Sequence, residues 1–125
     1  MDQKVLRQVK QIAASDDELW ADAPLTSVPA SDRQITALIS KLSDLQQYII
    51  GRANPLACRE LLPIVARCLD RLVWFPSKDQ LLKISRLFKL IQIAAQSAEP
   101  HKFPSYQAVE KGARRRPASV IHWLR

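Results

Sequence analysis

Four side chains in this sequence, Cys58, Cys68, His101 and His122, could formally supply the ligands of a zinc site or a thiol–imidazole pair. Thiolates with neutral imidazoles make zinc sites, and a cysteine or histidine beside a carboxylate makes an activated nucleophile or general base. Their spacing argues against both uses. Cys58 and Cys68 stand ten positions apart on a stretch that reads as one helix, which rotates them by about 280° and separates them by roughly 15 Å along the axis. A disulfide or a shared metal would require that helix to break. His101 and His122 have no cysteine or carboxylate at a recognisable spacing. There is no glycine-rich phosphate loop, paired-carboxylate motif or nucleophile elbow. The expectation is a non-enzymatic protein without metal or cofactor, its thiols buried in a reducing compartment.

Binding chemistry is better represented. The chain closes on EKGARRRPASVIHWLR. Arg114, Arg115 and Arg116 are always charged and fork-shaped, which suits phosphate, and Trp123 offers a flat face that stacks on a base or fills a protein pocket. The competing reading is that Val120, Trp123 and Leu124 dock on the protein's own core while the arginines stay solvated. A second mixed surface comes from the strongest helical stretch, where Lys83, Arg86 and Lys89 share a face with Leu82, Leu90 and Ile93. Cations interleaved with aliphatics mark either a face covered by another helix or an interaction surface. Residues 64–74, a Phe-Pro-Ser turn and a helix from Lys78 also match a helix-turn-helix outline, with Ser77, Lys78, Gln80 and Lys83 at the front of the second helix. Proline stands there in place of the more usual turn glycine, and any core hairpin has the same outline.

Charge favours an anionic partner. The chain carries +7 overall. Residues 1–32 have three cations against six acids, residues 33–100 ten against five, and residues 101–125 six against one. A chain that is acidic early and basic late suits nucleic acid, an anionic lipid surface or an acidic protein face.

The elements that must position these groups are helices. Apolar residues recur at helical spacing, strict alternation is missing, and only Gly51 and Gly112 are available for tight turns. Val5, Leu6, Val9, Ile12 and Ala13 line a first amphipathic helix. Ser15 opens a Ser-Asp-Asp-Glu capping box for a short acidic helix ending at Trp20. A proline-containing strap follows. Ser31 opens a second box, and the stripe Ile35, Leu38, Ile39, Leu42, Leu45 and Ile49 runs to Gly51, read as the helix C′ residue. Asn54-Pro55 starts the next helix, which Pro63 is expected to kink or divide after Leu61. Ser77 opens a third box and a helix to about Ala98, whose apolar face centres on Phe88 and Ile91.

The fold expected is therefore all-α, a compact bundle of four to six helices with a basic C-terminal extension. Residues 1–22 form the amphipathic helix and the short acidic one, 23–31 the linker, 32–98 the helical core and 99–125 the extension. At 125 residues this is one core with tails. No apolar run is long enough for a membrane span and the start lacks a signal-peptide core, which points to the cytoplasm or nucleus.

Two functions follow. In the first, a regulatory protein contacts nucleic acid through Lys83, Arg86, Lys89, Arg114, Arg115 and Arg116. In the second, an adaptor or inhibitor anchors on a protein partner through Leu82, Leu90 and Ile93 or through Trp123, and a homodimer is one form such pairing takes. Membrane-surface attachment through Val5, Val9 and Ile12 lacks the second anchoring signal it would need.

Overall fold

The computed structural model describes residues 3–97. The readings on His101, Arg114, Arg115, Arg116, His122 and Trp123 lie outside the described residues. Five helices follow in order: α1 (Gln3–Ser15), α2 (Asp17–Trp20), α3 (Asp32–Arg52), α4 (Pro55–Val73) and α5 (Lys78–Ser97). They form one all-α bundle, with α5 packed against each of the other four. Each long helix buries one stripe at helical spacing. Leu6, Val9 and Ala13 come from α1; Leu38, Leu42, Leu45 and Ile49 from α3; Ala57, Leu61, Val65, Cys68 and Leu72 from α4. From α5 come Leu81, Ile84, Leu87, Ile91, Ala94 and Ala95. These residues apart from Ala13, with Leu19 of α2 and Ala30 of the strap, make a single core.

Capping explains the helix starts, with one correction. The Ser31 hydroxyl accepts from the Gln34 N–H at 3.2 Å, and the Asn54 side chain accepts from the Ala57 N–H at 2.8 Å. At Ser77 the box is reciprocal: its Oγ accepts from the Gln80 N–H, and its own N–H donates to Gln80 Oε1 at 3.0 Å. Ser15 does not cap α2. The α1 ladder continues through the Asp16 N–H to the Ile12 carbonyl, so Ser15 is still helical and its hydroxyl donates back to the Gln11 carbonyl. Asp16, the first residue with non-helical backbone, takes the cap and accepts from the Leu19 N–H at 3.2 Å.

Three other expectations are corrected. Gly51 is not a C′ residue: α3 runs through it to Arg52, and the Ala53 N–H still reaches the Ile49 carbonyl. Pro63 does not divide α4: the helix runs from Pro55 to Val73 with the proline on its exposed side, where its ring meets no neighbouring helix and the carbonyl left without a donor can be solvated. Phe88 is only half-buried, and the centre of the α5 face falls on Leu87 and Ile91. Both cysteines are free. Burial pushes the Cys68 thiol up to about 12 and that of half-buried Cys58 above its ordinary value. The Cys58 Sγ donates to the Ile49 carbonyl at 3.3 Å, at the end of α3. No helix among the described residues is long and apolar enough to cross a membrane.

Two stability measurements check this core. Ile91→Ala removes a fully buried side chain and lowers unfolding free energy by about 2–5 kcal/mol in urea titrations, more than Phe88→Ala does. Gly51→Ala raises stability by about 0.5–1 kcal/mol, because the position is helical and an added Cβ meets nothing within 4 Å.

Candidate protein-binding surface

The mixed face of α5 divides on folding. Lys83 turns inward at the bundle edge, where its Nζ lies 3.3 Å from Asp16 and 3.6 Å from Glu18. Leu90 is half-buried against the core. Leu82, Arg86, Lys89 and Ile93 remain as an exposed stripe along α5. Of the four residues at the front of the helix-turn-helix outline, Ser77 and Gln80 are buried in their own capping box and Lys83 is ion-paired, while Lys78 is exposed.

A different surface is built at the end of the bundle where α2, the strap and the α4–α5 turn meet. Its foundation is Arg71, a buried arginine in the last turn of α4. One guanidinium nitrogen, Nη1, donates to the Trp20 carbonyl at 3.3 Å and the Ala21 carbonyl at 2.8 Å, and lies 3.5 Å from Asp22. The other, Nη2, donates to the Trp74 carbonyl. Gln80 completes the set, its side-chain amide donating to the carbonyls of Glu18 and Ala21. Trp20 is fixed alongside: its indole N–H donates to the Ala13 carbonyl at 2.9 Å, and the Arg67 guanidinium sits 4.4 Å from its ring centre.

The strap is then stitched to the turn. The Ala30 N–H donates to the Pro76 carbonyl at 3.1 Å, and the Lys78 N–H donates to the Val28 carbonyl at 2.8 Å. Pro76 and Ala30 are buried beneath this short antiparallel contact between Pro29 and Ser77. Above it the polarity is reversed from what a turn requires. Leu25 and Val28 on the strap, Val73 at the end of α4, and Trp74 and Phe75 on the turn are exposed, Leu25 completely and Phe75 by 79%. They are five of the eight exposed large apolar residues among those described, and they lie on two segments bonded to each other.

Phe75 adds a second anomaly. Its φ is 52°, in the left-handed region, at the position just after the α4 C-cap where glycine is usual. A bulky aromatic there costs roughly 1–2 kcal/mol in backbone strain. The ring recovers little of that by burial, since most of it faces solvent.

The residues of this surface were legible as types but not as a site. Val-Trp-Phe-Pro-Ser reads as a helix breaker, yet three consecutive large apolar residues at a turn are themselves a signal of function. Leu25 and Val28 carry no periodicity and join them only through the strap's tertiary hydrogen bonds. Comparison of the chain with family models, characterised proteins and solved structures finds no match.

Phe75→Gly separates strain from packing. It is expected to leave stability unchanged or to raise it by up to about 1 kcal/mol, because glycine accepts the positive φ. A loss greater than that in urea unfolding would show that the ring belongs to the core.

Proposed function

We propose that this protein works by binding another protein, with the strap and the α4–α5 turn as its contact surface. The observation that carries the reading is the placement of Leu25, Val28, Val73, Trp74 and Phe75 in solvent on backbone fixed by Arg71 and Gln80. Exposed aromatics on a preorganised turn supply large contact area with little conformational entropy left to lose. Trp74 and Phe75 are the natural anchors, since tryptophan dominates binding hot spots and an aromatic in a glycine position is costly to the fold alone. The adaptor or inhibitor role thus rests on a different patch from Leu82, Leu90 and Ile93, and Trp123 enters it only through the sequence.

Nucleic acid is the second reading, supported by exposed Arg86 and Lys89 on α5 and by Arg114, Arg115 and Arg116 in the sequence. Lys83 contributes little to it while held between Asp16 and Glu18.

The two readings separate in one experiment on the full chain, comparing wild type, Trp74→Ser with Phe75→Gly, and the triple replacement of Arg114, Arg115 and Arg116 by Ala. Protein binding predicts that partner capture is lost in the turn variant and kept in the arginine variant. Nucleic-acid binding predicts that affinity for labelled DNA or RNA falls steeply with salt and that the arginine variant lowers the slope by up to about three contacts. If the turn variant captures its partner as well as wild type does, the proposed surface is wrong.

A further inference from the structure

We infer that residues 114–125 of the same chain occupy this apolar end, competing in cis with the partner. The inference rests on the reading of that end as a binding surface and commits it to one occupant. Each of the two apolar segments is bracketed by aspartates. Asp22 precedes Leu25 and Asp32 follows Val28; Asp70 precedes Val73 and Asp79 follows Phe75. All four are exposed. Of the two cations in the same stretches, Arg71 is buried in its carbonyl contacts, which leaves Lys78 as the exposed one.

Helix electrostatics account for two of the four acids. Asp32 and Asp79 lie in the first turns of α3 and α5, where a carboxylate is favoured. Asp70 has no such reason, since it sits in the last turn of α4, the end that prefers cations. An exposed acid placed against its own helix dipole fits a role toward something outside the helix.

The chemistry this surface selects is a short segment that is both cationic and aromatic or aliphatic. Residues 114–125 match it: Arg114, Arg115, Arg116 and Arg125 surround Val120, Ile121, Trp123 and Leu124, with no acid among them. The chain also reaches. Helix α5 spans about 30 Å from its start beside the strap to Ser97. The 17 steps from Ser97 to Arg114 extend to roughly 56 Å.

Other grooves suit this segment less well. The hollow of about 270 Å³ between α3 and α5 is lined by Lys41 and Asp44 as well as by Tyr48 and Phe88, so it has no net charge to select cations. The one between α1 and α4 carries Lys10, Arg59 and Arg67 against Glu60 and repels them.

The test uses the isotopically labelled full chain. Amide spectra of wild type are compared with those of Trp123→Ala combined with Leu124→Ala. Changes at Leu25, Val28, Val73, Trp74 and Phe75, reproduced in part by Asp70→Lys, are the expected result. Asp70→Lys keeps the fold, because a cation suits the end of α4, and its effect on the tail shrinks in high salt. Changes confined to residues 114–125, or appearing instead at Tyr48, Phe88 and Gln92, overturn the inference. Changes that vanish on dilution, with a dimer in sedimentation, overturn its in-cis form, because the segment then crosses to a second copy. Failure here is distinct from failure of the protein-binding reading: in the first case the turn variant still loses its partner, and in the second the tail perturbs the turn while partner capture ignores it.

Discussion

A helix of four residues leaves almost all of its backbone carbonyls without a partner inside the helix, and α2 meets that constraint with two side chains borrowed from other helices. Arg71 of α4 and Gln80 of α5 between them take the carbonyls of Glu18, Trp20 and Ala21. The same guanidinium takes the Trp74 carbonyl at the end of α4. One buried cation therefore closes the C-terminal ends of two helices, where the dipole favours it, and joins the N-terminal third of the chain to the α4–α5 hairpin. Its Nε has no partner, so the group is committed to carbonyls rather than balanced by a buried carboxylate, and Asp22 is fully exposed. Removing such a side chain strands several buried acceptors at once, which costs more than the loss of any single hydrogen bond.

The strap and the turn inherit their geometry from this arrangement. With Ala21 and Trp74 held, the chain from Asp22 to Ser31 is drawn across the α4–α5 turn, and the Val28 and Pro76 carbonyls find donors there. Ser77 and Gln80 cap each other at the start of α5, and the Gln80 amide is turned inward to the Glu18 and Ala21 carbonyls. The side chains of Arg71, Ser77 and Gln80 at this end are spent on internal hydrogen bonds, whereas Leu25, Val28, Val73, Trp74 and Phe75 are displayed. An ordinary loop would turn such apolar residues inward, and their display supports the proposed contact surface.

Charge follows a similar division. The early acids read as one half of a polarised chain, yet Asp16 and Glu18 hold Lys83 and thereby fix α2 to α5. Asp22, Asp32, Asp70 and Asp79 are the acids left facing solvent around the apolar end. The basic excess of the closing residues faces a surface of opposite sign in the proposed arrangement, so the polarity of the sequence acquires a use within the molecule as well as toward a partner.

Periodicity and capping were legible from local physics. The stripes of α1, α3, α4 and α5 repeat at helical spacing, and Ser31, Asn54 and Ser77 each offer an acceptor to an N–H two or three residues on, which no distant residue needs to arrange. Local chemistry also misled. Ser15 has the right type for a cap, but the α1 ladder extends one residue further and passes the role to Asp16; Gly51 has the right type for a helix end, but Ile49 and Ala53 carry the helix beyond it. What the sequence determined by itself is therefore the set of helices, because each arises from contacts within one or two turns. The tertiary structure alone decided the surface. Whether Lys83 is free or paired, and whether the strap that carries Leu25 joins the turn at Trp74, depend on carbonyls and carboxylates some fifty to seventy residues away along the chain, and no local pattern encodes a partner at that distance.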